Sequence, residues 1–110
     1  MTDQSGAGLS LTVFVSSYTK IGNQVFFEFG MIFPTTSNTN AVSLSLPFTA
    51  KATSDNTGGG GITVNSSGRT DTLVVIRNTA TMSLQSVSNV SATNANYSGK
   101  QLRVAGQYTV

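Results

Sequence analysis

Few side chains in this sequence could do acid–base work: four carboxylates, Asp3, Glu28, Asp55 and Asp71, with no histidine and no cysteine. A glycosidase places two carboxyl groups about 5–9 Å apart across one scissile bond. Here Asp3 stands in the opening polar stretch, Asp55 and Asp71 beside turn residues, and Glu28 in mid-strand. That pattern reads as solvated turn carboxylates plus one strand residue. Without histidine the usual general base and the commonest transition-metal ligand are missing. Without cysteine neither a thiolate metal site nor a disulfide can form, and the redox compartment is left undefined. Serines abound but lack the base that usually activates them. Asp55 beside Asn56 offers too few oxygens for Ca²⁺, which takes about six to eight. Gly58 to Gly61 is followed by Ile62-Thr63-Val64 rather than GK[ST], so the tract is no phosphate loop. No cofactor, metal or catalytic residue is expected, and the protein is not read as an enzyme.

The elements that must position these groups are strands. In GLSLTVFV, Leu9, Leu11, Val13 and Val15 alternate with Ser10, Thr12 and Phe14, predicting one buried face. In NQVFFEFGMIF, Val25, Phe27, Phe29, Met31 and Phe33 point one way, and Gln24, Phe26, Glu28, Gly30 and Ile32 the other. Gly22-Asn23 predicts a tight turn between YTKI and QVFFEF. AVSLSL continues the pattern through Val42, Leu44 and Leu46 until Pro47 stops it. ATSDNTGGGG is read as a surface loop, since consecutive glycines destabilise a strand interior. ITV resumes a short strand, and TLVVIRN suits a strand buried on both faces. TMSLQSVSNV alternates through Met82, Leu84 and Val87, and QLRVAGQYTV through Leu102, Val104 and Tyr108. No segment carries helical periodicity. The expectation is an all-β fold, a jelly-roll-like or Greek-key β-sandwich of about seven or eight short antiparallel strands. Residues 9–110 form one domain behind an N-terminal arm, residues 1–8.

Composition narrows the surroundings. Ser, Thr and Asn fill more than a third of the 110 residues, and only 9% are charged, against about 25% in an average soluble domain. The net charge is +2, but Lys20, Lys51, Arg69, Arg77, Lys100 and Arg103 form no cluster. Nucleic acid, which needs a concentrated basic face, is not an expected partner. No apolar run approaches the about 18 residues of a membrane span, and MTDQSGAG lacks the plan of a Sec-type leader. The three Asn-X-Ser sequons, at Asn65, Asn89 and Asn96, follow from composition. Phe14, Phe26 and Ile32 fall on faces that are otherwise polar, so a second packed layer or a neighbouring subunit must cover them.

Tyr18-Thr19-Lys20-Ile21-Gly22-Asn23-Gln24-Val25, the strand after it, Leu46-Pro47-Phe48 and the closing Tyr108-Thr109-Val110 resemble a small β domain of tailed bacteriophages. That domain recurs at the tips of tail fibres and as small virion surface proteins. The resemblance implies a jelly-roll-like homotrimer, with Phe14, Phe26 and Ile32 as trimer-interface candidates. A short arm before the first strand suits a capsid decoration, or cement, protein on the outer surface of the virion. Its partner would be the major capsid protein, contacted through Thr2, Asp3, Gln4 and Ser5. The alternative is a receptor-binding tail protein. In that case loops 54–61 and 93–99 would hold a host surface glycan through Asp55, Asn56, Asn96 and Tyr97. Of the three tyrosines, Tyr18, Tyr97 and Tyr108, Tyr97 is the preferred sugar platform.

Overall fold

The computed structural model describes residues 1–51, 59–86 and 88–110. The strands are β1 (Thr12–Ile21), β2 (Gln24–Ile32), β3 (Ser43–Ser45), β4 (Gly59–Asn65), β5 (Asp71–Ile76), β6 (Thr81–Ser86) and β7 (Gln101–Thr109). A 3-10 turn over Asn94–Tyr97 is the one helical element among the described residues. The strands form one antiparallel sheet in the order β1-β2-β7-β4-β5-β6-β3. The sheet curls into a sandwich-like body, so that its two ends meet: the Tyr18 ring on β1 stands edge-on to Phe48, just past β3, at 5.5 Å. The all-β expectation holds. Val87 and the loop residues Asp55 and Asn56 lie outside the described residues.

β2 carries the alternation into the core. Val25, Phe27, Phe29, Met31 and Phe33 are all buried, against Leu102, Val104 and Tyr108 of β7 and Leu73, Val75, Met82 and Leu84 of the opposite half. Each such side chain contributes about 1.5–3 kcal/mol relative to exposure. The hairpin turn falls at Gly22-Asn23, where Gly22 takes a φ of 60° and Ile21 pairs with Gln24. Val42, Leu44 and Leu46 are buried as expected.

Three expectations need correction. The first strand begins only at Thr12, and its alternation breaks at a β-bulge. Val13 pairs with Met31 but Val15 with Gly30, which moves Val15 to the outer face beside Phe14. The second concerns the glycines. Gly59–Gly61 are not loop but the start of β4, paired with both β5 and β7. A Cβ on Gly61 would stand 2.0 Å from the Ala105 carbonyl oxygen, and one on Gly106 2.4 Å from that of Gly60. The two backbones approach too closely for any side chain, which is why glycine stands in a strand here. The third concerns β5: Leu73 and Val75 are buried, but Val74 and Ile76 only half-buried, because the outer side of that strand is partly open.

The N-terminal arm, residues 1–8, lies against the sheet. Asp3 bridges to Leu44, Gln4 N–H donates to the Ser43 carbonyl at 2.7 Å, and Ser45 N–H to that of Thr2 at 3.0 Å. The segment covers the β3 edge, which would otherwise leave backbone groups unpaired.

Candidate interaction face

The outer side of β1, β2, β7 and β4 is built by strand register. One row across the sheet joins Val15, Gly30, Arg103 and Val64; the next joins Ser17, Glu28, Ala105 and Ile62. Gly30 has no side chain, and Phe14 lies over it: a Cβ there would come within 2.6 Å of the Phe14 ring. Phe14 over Gly30, with Phe26 and Ile32 at the two ends of β2, thus line the outer β1–β2 side, 45%, 42% and 42% exposed. On the far side Ile62 and Val64 of β4 are 70% and 64% exposed. Between these two apolar ridges runs a depression floored by Ala105 and bordered by Glu28 and Arg103.

The charges in the depression are matched. Arg103 Nη2 donates to Glu28 Oε1 at 3.1 Å, and its guanidinium lies 5.8 Å from the Phe14 ring centroid. The depression is open to solvent, whereas a small-molecule site encloses most of its ligand. Its shape fits a protein surface better. Ile62 and Val64 escaped the sequence analysis, because I-T-V alternation would as readily aim them inward. In the fold Thr63 faces inward instead, its hydroxyl donating to the Asp71 carbonyl at 2.8 Å. The register with glycine-bearing β7 decides this, and no local signal carries it.

The carboxylates have separate duties. The Asp71 side chain is fully buried, taking hydrogen bonds from Arg69 Nε at 2.8 Å and Nη2 at 3.1 Å and from the Tyr97 hydroxyl at 2.5 Å. Burial alone would raise the Asp71 carboxyl, but the bonds from Arg69 and Tyr97, with the Arg69 charge, outweigh it and hold it below the usual carboxylate range. Burial, then the bond to Asp71, pushes the Tyr97 hydroxyl well above its ordinary value. Asp3 accepts from Ser5 and Leu9 N–H, both at 2.9 Å. These bonds, with others to Ser5 and Gly8, overcome a burial effect of opposite sign and lower its carboxyl. Among the described residues no three acidic or metal-ligating side chains converge.

Ser17-Tyr18-Thr19-Lys20 matches the S-x-x-K pattern of serine acyl-transfer enzymes. On a strand, positions three apart point to opposite faces. Ser17 pairs with Glu28 on the outer side, while the Lys20 ammonium sits 5.6 Å over the Phe48 ring. The two do not meet.

Tyr97 cannot be a sugar platform. It is fully buried, its ring 5.6 Å from Phe33 and its hydroxyl held by Asp71. The 3-10 turn winds it inward from a loop that reads as wholly polar. Asn96 is exposed, but its Oδ1 accepts from Thr93 N–H at 2.9 Å. Tyr108 is also buried, hydrogen-bonded to Phe48 through its hydroxyl. Tyr18, 51% exposed, is the accessible tyrosine. Of the arm residues, Thr2 and Gln4 are exposed. Asp3 and Ser5 turn inward, the Ser5 hydroxyl accepting from Asn94 Nδ2 at 2.9 Å.

Comparison of the chain with protein-family models, with curated proteins and with solved structures found no match.

Proposed function

We propose that this chain is a non-enzymatic structural protein of a tailed-bacteriophage virion, a homotrimer on the outer surface of the capsid that bridges neighbouring major-capsid subunits. The observation that carries self-association is the outer face: five large apolar side chains, Phe14, Phe26, Ile32, Ile62 and Val64, exposed on one side of one sheet. Large apolar side chains exposed to that extent on one face mark a surface that a partner covers. The phage assignment rests on the sequence resemblance. Its two motif segments touch in the fold, since Tyr18 and Lys20 both pack against Phe48, and this favours treating them as one unit.

In this reading Thr2 and Gln4, facing outward along the covered β3 edge, contact the shell. Three weak contacts on one rigid trimer then add through effective concentration. Sedimentation equilibrium should give three times the 11.4 kDa chain mass. Antibody labelling of virions assembled with this chain should decorate the head. A monomer at every concentration, or label confined to the tail tip, would overturn the respective half.

A further inference from the structure

We propose that self-association seats the β4 ridge of one copy, Ile62 and Val64, in the depression over Ala105 of another. This rests on the self-associating reading above and names its contact surface. The ridge and the depression are distinct surfaces side by side on one face, so the ridge of each copy can enter the depression of the next, a head-to-tail contact that closes as a ring of three.

Area and charge agree on that occupant. An aromatic residue presents about 150–250 Å², and Ile and Val lie toward the lower end of that range. Five such side chains at 42–70% exposure therefore offer on the order of 500 Å² of apolar surface across this one face. The exposed rim of Ser17, Thr19, Gln101 and Gln107 extends this toward the about 800 Å² per partner of a specific interface. Glu28 and Arg103 neutralise each other at 3.1 Å, so an entering isoleucine meets a matched pair rather than a bare ion. With 9% charged residues and a net charge of +2, little repulsion separates two copies.

The test uses the full chain. Ala105→Phe fills the depression and Ile62→Asp charges the ridge; both side chains lie on the outer face, and circular dichroism checks that each variant is folded. Each should weaken self-association at least tenfold by sedimentation. The chain has no native cysteine, so Ile62→Cys and Ala105→Cys copies can be mixed under oxidation. A disulfide requires Cα atoms within about 7 Å. Linked heterodimers forming in the mixture support the seating. An oligomeric wild type with no linkage in the mixture, or with undiminished association in the folded Ala105→Phe variant, overturns the seating and leaves self-association standing. A monomeric wild type overturns both, while virion labelling judges the phage assignment separately.

Discussion

Asp71 is the residue on which this core is most exposed to chemical change. Its carboxylate is fully buried between Arg69 and Tyr97, and removing one partner of such a group leaves the others unsatisfied. Tyr97→Phe should cost about 2 kcal/mol by denaturant unfolding, and Asp71→Asn about 3 kcal/mol. The acid dependence follows from the direction of the shift. The folded protein binds the Asp71 proton more weakly than the unfolded chain, whose carboxyl titrates near about 3.9. The stabilisation is therefore full above about pH 4 and is lost as pH falls through the lower folded value. Wild type should lose stability in acid more steeply than Asp71→Asn, which keeps only the part due to Asp3. Equal acid slopes in urea titrations would remove Asp71 as the cause. None of this was visible in Arg69-Thr70-Asp71, which reads as a turn. Tyr97 reaches Asp71 from 26 residues away.

At the scale of elements, β4 and the arm depart furthest from local expectation. Consecutive glycines are poor strand formers by themselves. Here Gly59–Gly61 sit between β5 and β7, and from Ile62 onward the strand continues its ladder with β7. This is where one half of the sheet turns into the other. Gly61→Ala should cost about 3 kcal/mol by overpacking, because the clash is with the Ala105 backbone oxygen rather than a movable side chain. Gly30→Ala should cost less, since the Phe14 ring can move aside; a thermal melt of both variants reads the difference. The arm makes an equally specific prediction. Deleting residues 2–8 would uncover the β3 edge and remove the Ser5 partner of Asn94, so lost capsid binding would be confounded with lost stability. Substituting Thr2→Glu with Gln4→Glu, on the exposed side, should leave the melting temperature within a few degrees. It should reduce capsid binding if that edge meets the shell, as co-sedimentation with undecorated heads would measure.

For the whole molecule the consequence is one of concentration. A face with five exposed apolar side chains gains stability from any partner that binds only the folded state. The melting temperature of wild type should therefore rise with protein concentration. That of Ile62→Asp should not. A concentration-independent melt for wild type would mean that the face stays bare in solution.

The V-F-F-E-F-G-M-I-F alternation, the Gly22-Asn23 turn and the buried positions of β3, β6 and β7 were legible in the sequence, because period-two patterning and turn chemistry are local properties of the chain. The all-β class follows from them. Which side of each remaining strand faces inward was settled by tertiary structure. A one-residue bulge turned Val15 outward, close backbone approach required glycine in β4, a buried carboxylate drew Tyr97 into the core, and the pairing of β4 with β7 left Ile62 and Val64 in the open. Each outcome is set by a neighbouring strand distant in sequence, and register with that neighbour is information no single segment holds.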